Sequence, residues 1–129
     1  MRHYDMTLLC HIGEEVTIKV PGIKNHLGNP LLLRKYWVQL FFIFMYNRPL
    51  KQGVKVVAAH YGSLGKSIDF EETDRKKQNF ELFMRLFDDP RYERYLFTDL
   101  AAAGQWNRIG TPLTTMLDRS DLHHRIGNL

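Results

Sequence analysis

The chain has 129 residues, of which 44% are hydrophobic and 25% are charged. This length suits one compact domain, and the composition excludes a wholly disordered chain. A single cysteine, Cys10, excludes an internal disulfide framework and a multi-cysteine zinc site. The formal net charge is +4, which excludes little until its distribution along the chain is considered.

The first predicted element is a β-hairpin over residues 5–20. Apolar and polar residues alternate through 6–12 and again through 16–20, with a Gly-Glu turn between them. A loop over 22–30, rich in Gly, Asn and Pro, follows the hairpin. Cys10 lies on the apolar face of the first strand, so we expect a buried structural thiol rather than a nucleophile.

The segment 31–46 fits either a strand or a helix. Its aromatic and β-branched residues favour a central strand with two apolar faces. If the helices cover one face, the other needs a partner, so we expect a homo-oligomer. Its longest apolar run, 36–46, is too short to span a membrane as a helix. Another strand is predicted over 54–59, ending near His60.

The remaining pattern is helical. A first helix is predicted with Asp69 as N-cap and an apolar stripe over 80–87. A second helix is predicted to begin at Pro90 and to end before Gly104, and a short third helix to begin at Thr111.

These elements predict an α+β fold. An antiparallel sheet of about four strands, made of the N-terminal hairpin plus two strands, is packed by two or three C-terminal helices. One domain is expected over 1–129, with 1–66 mainly β and basic, 67–119 mainly helical and 120–129 a tail. The N-terminus shows no export signal, so the expected location is cytoplasmic or intracellular, in the host cell for a viral protein.

Positive charge is concentrated in the N-terminal half. Residues 16–68 contain no Asp or Glu but eight Lys or Arg, whereas residues 70–129 hold nine basic and ten acidic residues. Unbalanced positive charge attracts polyanions, either nucleic acid or an anionic membrane surface. The expected phosphate contacts are Lys19, Lys24, Arg34, Lys35, Arg48, Lys51, Lys55 and Lys66.

Two motifs are candidates for chemistry. The glycine-rich segment 62–67 follows a predicted strand, but His60 stands where a nucleotide-binding loop has its first glycine. Contact with a single phosphate through Lys66 is the better reading. His123 and His124 are similar to part of the histidine-and-asparagine signature of small metal-dependent nucleases. Neighbouring side chains on a regular element point apart, so we expect an exposed tail there.

Three function classes remain. The leading hypothesis is a non-enzymatic basic module that binds a polyanion, RNA or other nucleic acid first, and self-associates, a profile typical of viral and phage accessory or structural proteins. The alternative is a protein-interaction module, such as an inhibitor, immunity or matrix-like protein, that uses an apolar sheet face. The third is a small metal-dependent nuclease using some of His26, His60, His123 and His124. No catalytic residue, metal or cofactor is assigned from the sequence.

Overall fold

The computed structural model describes residues 7–14, 28–34, 50, 53–72, 74–106 and 108–127. The fold of these residues is α+β, as predicted, with short 3-10 helices between the main elements. The strands are β1 (Leu8–His11), β2 (Val56–Ala59), β3 (Lys66–Ile68), β4 (Lys76–Gln78) and β5 (Leu96–Thr98). The α-helices are α1 (Asn79–Phe87) and α2 (Thr111–Asp118).

The main sheet is parallel. β2 lies in the middle, with β1 on one side and β5 on the other, and Val56 lies opposite both Leu8 and Leu96. All four β2 residues are apolar and buried, which is typical of a parallel strand covered on both faces. The predicted antiparallel sheet of four strands is therefore wrong. The antiparallel pairing belongs to a separate pair, β3 and β4.

Parts of the N-terminal prediction lie outside the described residues. These parts are the second strand of the hairpin, at 16–20, and most of the 31–46 segment. The described beginning of that segment is a 3-10 helix, Pro30–Leu33, whose Leu31 and Leu33 are buried in the core. The strand predicted over 54–59 is confirmed as β2.

The helix predicted from Asp69 begins instead at Asn79. The Asp69 carboxylate does accept the backbone N–H groups of Glu71 and Glu72, each at 3.3 Å, as a cap would. Those residues, however, form the turn between β3 and β4. The local capping signal is therefore present without a helix, because an Asp side chain stabilises a turn in the same way.

Helix α1 buries an apolar face against the sheet. Leu82, Phe83, Leu86 and Phe87 are fully buried, and the rings of Phe83 and Phe87 stack with centroids 5.0 Å apart. Burial of each such side chain is worth about 1.5–3 kcal/mol relative to exposure. The helical segment predicted over 80–87 is confirmed, but of its predicted apolar stripe only Phe83 and Phe87 are fully buried, while Phe80 and Met84 are partly buried. Burial of this face stabilises the helix more than intrinsic propensity does.

The second predicted helix is wrong beyond its first turn. The Asp89 side chain caps a short 3-10 helix that has Pro90 at its first position, as predicted. The chain then enters β5 instead of continuing as a helix to Gly104. Leu96 and Thr98 are buried in β5, which pairs with β2, and this pairing outweighs the helical spacing of the local apolar residues.

The C-terminal region packs against the sheet through an arginine. α2 begins at Thr111, as predicted, and a 3-10 helix, Ser120–Arg125, follows it. The buried Arg125 guanidinium donates to the carbonyl oxygen of Leu96 at 3.0 Å and to that of Phe87 at 2.5 Å. Among the described helices, none is long and apolar enough to cross a membrane.

Candidate functional site

Polar residues follow all three parallel strands at the same edge of the sheet. His11 is the last residue of β1, His60 follows β2 and Asp99 follows β5. The register places His11 opposite Ala59, the residue before His60. Because ligands of open parallel sheets bind outside the carboxyl ends of the strands, this edge is the candidate site.

The chain leaves β2 through a left-handed turn at His60, Tyr61 and Gly62, whose φ angles are +61°, +44° and +63°. This region costs a residue with a Cβ about 1–2 kcal/mol, so other contacts must hold the turn. The Asp99 carboxylate accepts the His60 N–H and the Thr98 hydroxyl accepts the Tyr61 N–H, each at 3.1 Å. Side chains at the end of β5 therefore fix the backbone that follows β2.

The same contacts orient the His60 ring. Its Nδ1 lies 2.7 Å from the carbonyl oxygen of Ala101 and 3.5 Å from Oδ1 of Asp99. A carbonyl oxygen only accepts hydrogen bonds, so we assign the proton of the neutral ring to Nδ1 and the lone pair to Nε2. The Asp99 carboxylate is itself held, because Oδ1 also accepts the Ala101 N–H at 3.0 Å.

His11 supplies a second imidazole at this edge. Its ring meets that of His60 edge to face, with centroids 5.1 Å apart and an interplanar angle of 66°. Cys10 precedes it in β1, and burial raises the pKa of this thiol to about 11. The thiol is therefore protonated at neutral pH, although Cys10 is half-buried and not fully buried as predicted.

A buried arginine lies beside the left-handed turn. Arg108 is 4% exposed, and its Nη1 donates to the Ser63 hydroxyl at 2.9 Å while its Nε donates to the Gln105 side chain at 3.2 Å. Burial raises the pKa of Tyr61, and the nearby Arg108 cation and Ser63 act against that shift. A positive charge therefore lies next to the turn that carries His60.

Three of the eight predicted phosphate contacts, Arg34, Lys55 and Lys66, lie within the described residues. Arg34 forms an ion pair with Glu71 and lies 3.4 Å from Asp89. Both acidic residues come after residues 16–68, the part of the chain that contains no Asp or Glu. Lys55 is exposed immediately before β2, and Lys66 is exposed at the first position of β3. The other five lie outside the described residues: Lys19, Lys24, Lys35, Arg48 and Lys51.

The prediction of a phosphate-binding loop requires a helix after the glycine-rich segment 62–67, and no helix follows it directly. It leads into β3, and Gly65 has a φ of +80° immediately before that strand. A Cβ at Gly62 would lie 3.3 Å from both the Asn79 carbonyl oxygen and the Phe83 Cβ. Both glycines therefore have a conformational role, and Gly62 also lets α1 approach the turn closely.

The C-terminal histidines lie far from the candidate site. His123 approaches the Leu117 carbonyl oxygen at 3.1 Å, and His124 lies 3.7 Å from Glu93, a residue before β5. They therefore lie toward the amino end of the sheet, opposite His60, while His26 is outside the described residues. Within the described segments, no three His, Cys, Asp or Glu side chains are grouped so as to hold a metal ion.

Asp99 and His11 are the residues that the sequence interpretation missed. Each stands at the end of a short apolar run, and a polar residue there is the available signal once parallel strands are recognised. The antiparallel prediction hid this signal, because it placed the ends of neighbouring strands at opposite edges. The chain matches no protein-family model, no curated protein and no solved structure.

Proposed function

We propose that the protein is an acid–base enzyme of the hydrolase class, with His60 as the general base at the carboxyl edge of the sheet. The observation that carries this proposal is the ring of His60, which is held through Nδ1 by the Ala101 carbonyl at 2.7 Å and leaves Nε2 as an acceptor. The ring is carried on a strained backbone, and such strain clusters at functional sites.

The proposed reaction begins with a water molecule at Nε2 of His60. This nitrogen removes a proton as the water oxygen attacks the electrophilic atom of an ester, and the imidazolium then returns the proton to the leaving oxygen. The Asp99 carboxylate, 3.5 Å from Nδ1, stabilises the imidazolium through its charge and keeps the ring in one orientation. His11 lies close enough to contact the same reactants.

Hydrolysis of small esters tests the proposal. We expect His60→Asn to lower kcat/KM at least about 100-fold on whichever of p-nitrophenyl acetate and p-nitrophenyl phosphate the protein hydrolyses. His124→Asn is the matched control, because this histidine is exposed and far from the edge. Equal rates for the protein and His60→Asn, or hydrolysis of neither ester, would contradict the proposal.

The ring geometry has a test that needs no substrate. Nitrogen-15 NMR of the imidazoles distinguishes a protonated Nδ1 from a protonated Nε2 in the neutral ring. We expect His60 in the Nδ1–H form, because the Ala101 carbonyl can only accept. A neutral ring found mainly in the Nε2–H form would remove the proposed base.

The basic polyanion-binding module stays a separate prediction. Five of its eight residues lie outside the described part of the chain, and the ion pairs of Arg34 use one of the remaining charges. A filter-binding series with RNA at rising salt tests it, since each neutralised phosphate contributes about −0.7 to the salt slope for single strands. Undetectable binding at low salt would end this hypothesis.

A further inference from the structure

We infer that Arg108 binds an anionic oxygen group of the substrate, a carboxylate or a phosphate, beside His60. This inference rests on the proposed function, because it takes the bound molecule to be the substrate of the same edge. Arg108 is 4% exposed, and it forms hydrogen bonds with two neutral side chains, Ser63 and Gln105. Within the described segments, no carboxylate forms an ion pair with it.

A buried charge without an opposite charge is costly. Desolvation of a guanidinium costs several kcal/mol in general, and natural proteins normally compensate it with a carboxylate. The other buried arginine, Arg125, is held by two backbone carbonyls and the face of the Phe87 ring. Arg125 is also bound only by uncharged groups, and its Nη2 is fully buried without a partner, whereas Nη2 of Arg108 is not fully buried. The charge of Arg108 is therefore the one that a ligand can reach.

The donors that remain suit an anionic oxygen group. A guanidinium has five N–H donors, and the hydrogen bonds to Ser63 and Gln105 use one on Nη1 and the one on Nε. The second donor on Nη1 and the two on Nη2 have no hydrogen-bond partner among the described residues. Two parallel hydrogen bonds from these donors match the oxygens of a carboxylate or a phosphate.

The position of Arg108 connects this site with His60. Ser63, which accepts its Nη1 hydrogen, is three residues after His60 in the turn that follows β2. The Arg108 cation also acts on the hydroxyl of Tyr61, the neighbour of His60. A substrate anchored by its anionic group at Arg108 would therefore lie beside the turn that carries His60.

Thermal unfolding with inorganic phosphate or acetate tests the inference. Compared with chloride at equal ionic strength, we expect one of the two anions to raise Tm by about 3 °C or more, the shift expected from a ligand about tenfold above its Kd. Arg108→Met should lose this extra rise, and the exposed Arg94→Met should keep it. The anion with the larger shift identifies the group as carboxylate or phosphate.

Three outcomes would overturn the inference. The first is an equal rise in Arg108→Met, which would assign the shift to general exclusion of the salt from the surface. The second is no rise above chloride with either anion. The third uses the unmodified protein and stands even if Arg108→Met fails to fold. It is an Arg108 Nε–H resonance that moves neither when phosphate nor when acetate is titrated.

A separate variant keeps the two proposals distinguishable. His60→Asn should retain the anion-dependent rise in Tm while it loses hydrolysis, because Asn tolerates the left-handed backbone. A retained rise with unchanged hydrolysis would reject His60 as the base and leave the anion site standing. If the unmodified protein shows no anion-dependent rise in Tm but its hydrolysis still depends on His60, the anion site alone is rejected.

Discussion

Two buried polar clusters of this protein differ in how completely their charges are compensated. In the first, the carboxylate of Asp69 is fully buried and bound by Arg85 at 2.8 and 2.7 Å and by Lys77 at 3.0 Å. In the second, at the carboxyl edge of the main sheet, His60 keeps an acceptor and Arg108 keeps donors. The first cluster can only stabilise the fold, whereas the second can also exchange partners with a ligand.

The compensated cluster links three elements. Asp69 follows β3, Lys77 lies in β4 and Arg85 lies in α1, so one carboxylate holds the hairpin against the helix. Hydrogen bonds from Arg85 and Lys77 keep the pKa of Asp69 far below its usual range, although burial opposes the shift. The comparison predicts that substitutions in the Asp69 cluster cause large losses of stability and that substitutions at the carboxyl edge cause small ones.

The largest expected effect is that of Asp69→Asn. Removing one partner of a fully buried ion pair costs about 3–5 kcal/mol. Arg85 and Lys77 are partly exposed and keep their ion pairs with Glu72, so we expect the lower end of that range, about 3 kcal/mol. Urea unfolding at pH 7 measures this loss, with the exposed Asp118→Asn as the control. A loss below about 1 kcal/mol would show that Asp69 does not hold the hairpin on α1.

The pH dependence of stability follows from the same carboxylate. The pKa of Asp69 is lower in the folded state than in the unfolded chain, so its contribution is complete at neutral pH. That contribution is lost as the pH falls through and below the ordinary aspartate value of 3.8. We expect urea unfolding between pH 6 and pH 3 to show a steeper loss in the unmodified protein than in Asp69→Asn. Parallel curves would contradict this assignment.

The next effect is that of Arg125→Ala. This change removes two charge-assisted hydrogen bonds to backbone carbonyls and the contact of the cation with the Phe87 ring, 3.9 Å from its centroid. We expect a loss of about 2–3 kcal/mol in the free energy of unfolding. The anion-dependent rise in Tm should remain, because Arg125 lies at the opposite end of β5 from Asp99. If Arg125→Ala lost the anion-dependent rise in Tm as well as stability, the two ends of β5 would be coupled.

The smallest expected effect on stability is that of His60→Asn. The change removes the side-chain contact with Ala101 but keeps the backbone N–H that Asp99 accepts. We expect the free energy of unfolding to change by less than about 1 kcal/mol. A loss as large as that of Asp69→Asn would make His60 a structural residue and erase the contrast between the two clusters.

The sequence was sufficient where the signal is local. The apolar residues of β2 and the stripe of α1 identify their elements, since burial of those side chains outweighs other terms. The Asp89 cap and the beginning of α2 were also local signals. The short strand β5 was not predictable in this way, because its three residues, Leu96–Thr98, acquire their conformation from pairing with β2.

The candidate site depends on the pairing of distant strands, which local sequence patterns do not contain. His60 could be placed at the end of a strand from the sequence, but its neighbours could not. Asp99 and His11 reach it only because three separate strands are parallel and share a register. Likewise, the absence of Asp and Glu from residues 16–68 suggested an open basic surface. The tertiary fold nevertheless brings Glu71 and Asp89 close to Arg34.

The left-handed turn after β2 has a consequence for the order of folding. Its backbone is locally unfavourable, and its two holding residues, Thr98 and Asp99, lie almost forty residues further along the chain. Such a turn gains little stability before β5 has paired with β2. The chain between His60 and Asp99 must close into a loop before Thr98 and Asp99 can hold the turn. The orientation of the His60 ring is therefore a late event, and its NMR signal would report completed assembly of the sheet rather than early collapse.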